Sequence, residues 1–350
     1  MAPAGTGLCA REPTDWGLQI DKAASQEDLD VSSRASEPAP LPVGARRPRA
    51  HAAHTQRVLF AASGFTRSLH ALRRAHALAA RVYGGELCVL HVAAAAAGGR
   101  AGRMRDRAAG GNLLQRVRRF YRRRLDPPPP AERVLSRSGE FAKVVVEAAR
   151  ELGAALIVLP GTDRPSGAAV TQIAHAAGLP VLVAREAAFG GAIVAATDFA
   201  DGGYRELRHA TRLARSLRAE LAFLHNVKPL VHASTSALGH CSCTVIEPPV
   251  EALEECRGRL QALARYLGAR AETVVASRPC ADDAILEAAS AFGADLVVVG
   301  ARRQPWLERV FGTALSARIV DRCERSVLVA PLGVDGDAQR AVRPHVNAWS

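Results

Sequence analysis

Short apolar runs alternate with amphipathic helical patterns along the chain, and the whole series occurs twice. The first equivalent runs are VLFAASGF at residues 58–65 and AIVAATDF at residues 192–199, and each ends in small or polar residues. Buried parallel strands that end in loops have this pattern. A helical pattern follows each run, over residues 68–82 and 204–217. Its apolar positions share one face, namely Leu69, Leu72, Ala75, Leu78 and Ala79 in the first copy and Leu207, Ala210, Leu213 and Leu217 in the second.

The match between the two halves continues to the end of each copy. Further strands are predicted at residues 86–92, 132–136, 155–161 and 179–184 of the first copy, and at 220–227, 271–277, 295–301 and 326–331 of the second. Further helices are predicted at residues 112–125 and 141–152, and at 250–267 and 282–292, with one more helix before each last strand. Strands that are apolar on both faces and alternate with helices predict an α/β, Rossmann-like fold. We expect two tandem open parallel five-stranded sheets with helices on both faces.

Composition divides the chain into four segments. Residues 1–56 are rich in Ser, Ala, Pro and charges without sustained periodicity, so we expect a disordered N-terminal arm. The first domain is predicted at residues 57–186 and the second at 190–332. Residues 333–350 have the composition of a C-terminal tail.

Charge and cysteine content narrow the class of protein. The chain carries a net charge of +12, but only three of its 46 basic residues are lysines and only 5% of its residues are aromatic. Stacking platforms for nucleic acid are therefore scarce, and we do not expect nucleic-acid binding. Seven scattered cysteines do not form a disulfide framework. No apolar run approaches the roughly 20 residues that cross a bilayer, and no secretory signal is recognised, so we expect a cytoplasmic protein.

Candidate chemistry lies in the loops that follow the first and fourth strands, because ligands of such sheets bind beyond the carboxyl ends of the strands. In the second copy, Asp198 follows strand one and suits hydrogen bonds from a ribose hydroxyl or an adenine amine. The second loop runs from residue 300 to residue 313 and enters a helix. Gly312 permits close backbone approach, and Thr313 suits an N-cap beside Ser316, so that first-turn amides and hydroxyls can hold phosphate. The cations available to a polyphosphate are Arg302, Arg303 and Arg309.

Several of these motifs resemble the universal stress protein family in its tandem two-domain form. They are ATDF at the end of strand one, LHNV at the end of strand two, DLVVVG, GTALSARIV and SVLVAP. The ATP-binding members carry G-x2-G-x9-G-[ST] after strand four. Here Gly300 matches the first glycine, Arg303 replaces the second, and Gly312 and Thr313 match the final pair after an interval one residue shorter than the family spacing. The resemblance further implies that Asp198 and Val227 line a nucleoside pocket, with Thr197 beside Asp198.

The first copy departs from that pattern. Gly64 occupies the position of Asp198, and the loop after the fourth strand, which begins at Gly161, is cut short before the last helix. We therefore predict a degenerate first domain that does not bind nucleotide. The resemblance implies self-association through the last strands, residues 179–184 and 326–331, either between the two domains or in a homodimer.

The leading hypothesis is a stress-response protein whose second domain binds ATP or another adenine nucleotide as a signal. We recognise no general base, nucleophile or metal-ligand set, so we predict neither catalytic residues nor a metal site, and no enzyme. The cluster HCSC at residues 240–243 lacks a second paired cluster and is interpreted as loop thiols. The alternative is a nucleotide-free scaffold or dimerisation protein. A third class, slow ATP hydrolysis or nucleotidyl transfer, stays open, as does whether Arg303 blocks the pocket or contributes to it.

Overall fold

A computed structural model describes residues 19–21, 56–63, 68–93, 115, 118–120, 122–125, 130, 133–163, 165–185, 190–235, 241–302 and 314–332. The strands are β1 (Gln19–Asp21), β2 (Arg57–Ala62), β3 (Leu87–Ala93), β4 (Val134–Ser138), β5 (Ala154–Pro160), β6 (Val181–Ala184), β7 (Ala192–Ala196), β8 (Glu220–Asn226), β9 (Leu230–Thr235), β10 (Cys241–Ile246), β11 (Glu272–Ala276), β12 (Leu296–Ala301) and β13 (Ser326–Pro331). The helices are α1 (Leu69–Arg81), α2 (Phe141–Glu151), α3 (Gly167–Ala177), α4 (Arg205–Leu217), α5 (Val250–Leu267), α6 (Ala281–Ala291) and α7 (Leu315–Arg322).

Eleven strands form one sheet in the order β1-β11-β8-β7-β12-β13-β6-β5-β2-β3-β4. Each half contributes five mutually parallel strands, which confirms the predicted α/β architecture. The expectation of two separate sheets is wrong in one respect, because the halves join through antiparallel pairing of β6 with β13, with Leu182 opposite Leu328. Each last strand therefore has a neighbour on both sides. The last strands were expected to associate either between the two domains or in a homodimer. Within this chain they pair between the two domains.

Three further strands differ from the sequence prediction. Within the N-terminal arm, residues 1–56, that was expected to be disordered, the structure describes Gln56 and strand β1, which pairs antiparallel with β11 at the edge of the sheet. In the second half, β9 and β10 form an antiparallel pair with Leu230 opposite Ile246, so Cys241 and Cys243, which the sequence analysis interpreted as loop thiols, lie in a strand. The C-terminal tail at residues 333–350 lies outside the described residues.

Helices cover both faces of the sheet because each presents one apolar stripe. Helices α1, α4 and α5 pack on one face and α2, α3, α6 and α7 on the other. Each of the two resulting cores contains residues from both halves, such as Phe60 and Phe223 on the first face and Ile157 and Val297 on the second. The predicted stripe of α1 is buried at Leu72, Ala75, Leu78 and Ala79.

The halves also meet through helices α3 and α7. A Cβ built on Gly167, the first residue of α3, would lie 2.0 Å from the carbonyl oxygen of Ala317, so only glycine permits this approach. The Gly167 amide donates to the carboxylate of Asp321 over 2.7 Å. One turn later, the buried hydroxyls of Thr171 and Ser316 lie 3.1 Å apart. Specific polar contacts therefore fix the two halves in one register.

Candidate functional site

A cavity of about 310 Å³ opens in the second half, where the strand order reverses between β7 and β12. The connection after β7 leads to β8 on one side, and the connection after β12 leads to β13 on the other. This divergence creates the crevice in which ligands of doubly wound sheets bind. The residues that line the cavity are Ala196, Thr197, Asp198, Glu206, Leu224, His225, Asn226, Lys228, Ala281, Ile285, Val299, Gly300, Arg302, Ala314, Leu315, Ser316 and Leu332. Five of the predicted site residues are among them: Thr197, Asp198, Gly300, Arg302 and Ser316.

Asp198 and Arg302 meet across the mouth of this cavity. Asp198 follows β7, Arg302 follows β12, and the guanidinium Nη2 donates to Asp198 Oδ2 over 2.6 Å. The other carboxylate oxygen accepts from the amide of Ala200 over 3.0 Å. Both side chains are more than half exposed, so the pair contributes roughly 0–1 kcal/mol and opens readily.

Thr197 and His225 build the wall beside Asp198. The carbonyl of Thr197 lies 2.9 Å from His225 Nδ1, which defines Nδ1 as the protonated nitrogen. Phe199 stacks at 4.2 Å from the imidazole centroid, and the guanidinium of Arg259 lies over the outer part of this stack, 4.3 Å from the Phe199 centroid. Burial lowers the pKa of His225 despite the carbonyl contact, so the ring is neutral at physiological pH.

The first turn of α4 forms another wall. Asp201 holds this turn, since its carboxylate accepts from the amides of Gly203 at 3.2 Å and Arg205 at 3.3 Å. Tyr204 enters the helix with a left-handed φ of 45°. The turn brings Glu206, only 2% exposed, to the cavity. Burial raises the pKa of Glu206 to about 7, against a hydrogen bond from the Thr197 side chain that lowers it.

The opposite wall is the start of α7. Ser316 lies here as predicted, 2% exposed, with its hydroxyl in contact with Thr171 of the first half. The N-cap is Ala314, without a side-chain hydrogen bond, so the prediction that Thr313 caps this helix is wrong. The helix begins one residue later because Ala314 has the extended ψ of 143°.

Two predicted residues have roles that the sequence did not indicate. A Cβ on Gly300 would lie 2.9 Å from the end of the Leu332 side chain, so a larger residue here would displace that side chain. Val227 is not among the residues that line the cavity. Its amide donates to the carbonyl of Ala276, and its neighbours Asn226 and Lys228 line the cavity instead.

The remaining predicted positions lie outside the described residues. They are Arg303, Arg309, Gly312 and Thr313, which belong to the segment 303–313 between Arg302 and α7. The structure therefore describes the side of the cavity formed by the ends of β7, β8 and β12 and the side formed by the start of α7, but not the segment 303–313 between Arg302 and α7.

The corresponding loops of the first half contain a different arrangement. The carboxylate of Asp163 accepts from the amide of Ser63 at 3.2 Å and from its hydroxyl at 3.0 Å. Asp163 follows β5, the counterpart of β12, so an acid occupies the region where Arg302 stands in the second half. Helix α3 starts at Gly167, four residues further along.

A model of a known protein family matches the chain twice. The family model described as "Universal stress protein family" matches residues 54–185 and again residues 191–331. The chain belongs to the universal stress protein family. Two copies of the family's domain account for the repeat and confirm the resemblance seen in the sequence. A comparison with curated proteins gave no match.

Two solved structures share the fold of this universal stress protein at low sequence identity, and a third matches a smaller part of the chain. A universal stress protein from Archaeoglobus fulgidus DSM 4304 is 13% identical, and the match covers 79% of this chain and 98% of that chain with a TM-score of 0.56. A functionally unknown protein from Pseudomonas aeruginosa PAO1 is 16% identical, with coverages of 80% and 94% and a TM-score of 0.52. A universal stress protein in complex with cAMP is 20% identical, with coverages of 41% and 98% and a TM-score of 0.31.

Sequence reasoning missed Glu206, although a signal was present. Glu206 precedes Ala210 by four residues and Leu213 by seven, so it falls on the buried stripe of its helix. An acid at such a position is either paired or has its pKa raised. Among the described residues no group of three or more His, Cys, Asp or Glu side chains is arranged to hold a metal, and no helix is long and apolar enough to span a membrane.

Proposed function

We propose that the second half binds an adenine nucleotide, with ATP the expected ligand, in the cavity between β7 and β12. The observation that carries the proposal is the polarity of this cavity. Asp198 offers carboxylate oxygens on one side of the mouth, while Arg302 and Lys228 supply positive charge to the cavity. A nucleotide has the matching polarity, since its ribose and base donate hydrogen bonds and its phosphates are anionic.

The volume and walls of the cavity are compatible with the nucleoside part of such a ligand. Ligand pockets in proteins enclose roughly 300–1,000 Å³, and this one measures about 310 Å³ within the described residues. Apolar side chains at Leu224, Ile285 and Val299 suit the faces of a base. The amides at the start of α7 suit phosphate oxygens, because a helix N-terminus carries partial positive charge.

In this proposal the first half is a structural partner and not a second nucleotide site. The acid Asp163 stands beyond β5, engaged with Ser63, where a phosphate would need a cation. The partner role is supported by the contacts of α3 with α7, which hold Ser316 beside the cavity.

We further propose that the nucleotide acts as a signal in the cytoplasm and is not turned over rapidly. The ring of His225 is neutral and its Nδ1 proton is engaged with the Thr197 carbonyl. Such a ring stabilises the wall of a binding site. Slow hydrolysis would appear as steady phosphate release, and we expect none at rates useful for metabolism.

The experiment is calorimetric titration of the full chain with ATP at slightly acidic pH. Asp198→Ala removes the acceptor for the ribose or the base, and we expect binding to weaken at least tenfold, since hydrogen bonds to charged groups contribute about 1.5–3 kcal/mol. Asp163→Ala in the first half is the matched control and should leave the affinity unchanged. Equal effects of the two variants, or no binding by the unmutated chain, would contradict the proposal.

A scaffold without ligand is the second candidate, and the pairing of β6 with β13 favours it because this pairing needs no nucleotide. Millimolar ATP distinguishes the two candidates. A ligand that binds only the folded state raises the melting temperature, whereas a pure scaffold shows no shift.

A further inference from the structure

Phe199 has a backbone conformation that bulky residues rarely adopt. It follows Asp198 in the loop after β7, and its φ of 58° lies in the left-handed region. Glycine enters this region without steric cost, whereas a residue with a Cβ is disfavoured there by roughly a factor of ten. Such strain persists only where the surrounding structure enforces it. The contacts of Phe199 therefore show what enforces the conformation.

The ring of Phe199 is held from two other elements of the second half. The imidazole of His225 on β8 lies 4.2 Å away between ring centroids, and the guanidinium of Arg259 on α5 lies 4.3 Å from the Phe199 centroid. A guanidinium is attracted to the face of an aromatic ring. His225 is itself fixed, since its Nδ1 donates to the carbonyl of Thr197. These contacts offset the strain at Phe199, whose half-buried ring also packs against the core on this face of the sheet.

The left-handed turn at Phe199 fixes the carboxylate of Asp198. The next amide along the chain, that of Ala200, donates to Asp198 Oδ1 over 3.0 Å. The direction of this amide depends on the dihedral angles of Phe199, so an extended Phe199 would turn the donor away. Because Oδ1 is held in this way, Oδ2 is the oxygen that faces Arg302 across the mouth of the cavity, at 2.6 Å.

We propose that Phe199 is a positioning residue, whose stack with His225 and Arg259 holds the loop in the conformation that presents Asp198 to the nucleotide. Asp198 lines the cavity, whereas Phe199 and Arg259 are not among the described residues that line it. Phe199 therefore acts through Asp198 and not by contact with the ligand. The inference rests on the proposed function and identifies what preorganises its hydrogen-bond acceptor.

Two substitutions at Phe199 separate the backbone conformation from the ring. Phe199→Ala removes the ring and leaves a residue for which the left-handed region is costly, while Phe199→Gly removes more of the side chain but also removes that cost. In calorimetric titration of the full chain with ATP, we expect Phe199→Ala to weaken binding about three- to tenfold and Phe199→Gly to weaken it less, in proportion to the competent fraction. Binding by Phe199→Gly as weak as that by Phe199→Ala, or weaker, would overturn the inference.

A double-mutant cycle with Asp198→Ala tests whether Phe199 acts through this carboxylate. Once the carboxylate is absent, its position no longer matters, so we expect Phe199→Ala to cause no further loss of affinity in the Asp198→Ala background. The same cycle with Phe199→Gly repeats the test in a second variant. A loss as large as in the unmutated background would show that the ring acts by another route and would overturn the inference.

Phe120→Ala is the matched control for removing an aromatic ring. Phe120 belongs to the first half, where its ring lies 5.4 Å from the guanidinium carbon of Arg124, and it is not among the described residues that line the cavity. We expect its removal to leave the affinity for ATP unchanged. Binding by the unmutated chain with no loss in Phe199→Ala would overturn the role of Phe199 and leave nucleotide binding intact. Failure of the unmutated chain to bind ATP would overturn the proposed function and this inference with it.

Discussion

Asp198 and Glu206 border one cavity but differ in exposure, and that difference separates their roles. Asp198 is 58% exposed and paired with Arg302, so water and a cation stabilise its charge. Glu206 is 2% exposed, and Asp198 and Asp201 disfavour its charge. Asp198 is therefore suited to accept hydrogen bonds, and Glu206 is suited to hold a proton. Their opposite properties follow from burial because both side chains are carboxylic acids.

The burial of Glu206 also makes the stability of the fold pH dependent. Its pKa is raised from 4.5 to about 7 in the folded protein, so the folded state binds the proton more tightly than the unfolded state. Stability is therefore lost as pH rises from about 4.5 to about 7, by up to about 3 kcal/mol at 1.36 kcal/mol per pKa unit. We expect Glu206→Gln to match the unmutated protein in acid and to exceed its free energy of unfolding at alkaline pH.

Urea unfolding at several pH values measures this difference. His209 has a pKa lowered to about 4 and destabilises the fold in acid, but it is present in both proteins and cancels. Glu147→Gln, at an exposed position on α2, is the control for replacing a glutamate. A stability difference for Glu206→Gln that does not grow with pH would contradict the raised pKa.

At the scale of elements, the close contact of α3 with α7 joins the two halves. Gly167→Ala places a methyl group where the Ala317 carbonyl lies, and we expect destabilisation of roughly 1–3 kcal/mol, as for other overpacked sites. Gly258→Ala is the matched control, since it lies in α5 with nothing within 4 Å of its Cβ position. There the same change should stabilise by about 0.5–1 kcal/mol. Equal effects in urea unfolding would show that the contact is looser than the geometry indicates.

The central strands of the sheet were predictable from sequence, because strands that are buried on both faces are continuous apolar runs. Strands β1, β9 and β10 were not predictable in this way. Helix α5 and strand β13 have the predicted bounds, residues 250–267 and 326–331. Strand β1 has three residues and pairs with β11 across a long sequence separation, so no local pattern announces it. In β9 and β10, cysteines and small polar residues hide the alternation that would have predicted a pair of strands.

At the scale of the molecule, the repeat becomes one continuous sheet because each half offers its last strand as an edge. Unpaired edges invite association, and the pairing of β6 with β13 satisfies both within one chain. The place of the site followed from topology, since loops after strands one and four of one half must meet at the switch point. The place of Glu206 on the apolar stripe of α4 signalled its burial, but its position beside the cavity did not follow from sequence, because it depends on how deeply α4 packs. Packing depth is a property of the assembled core.

A crystal structure of the protein grown with ATP would show whether the cavity between β7 and β12 holds an adenine nucleotide. We expect the nucleoside between the ends of these strands, with Asp198 released from Arg302 and bonded to the ribose or the base. We also expect no nucleotide beside Asp163. An empty cavity at saturating ATP, or nucleotide bound in the first half instead, would contradict the account.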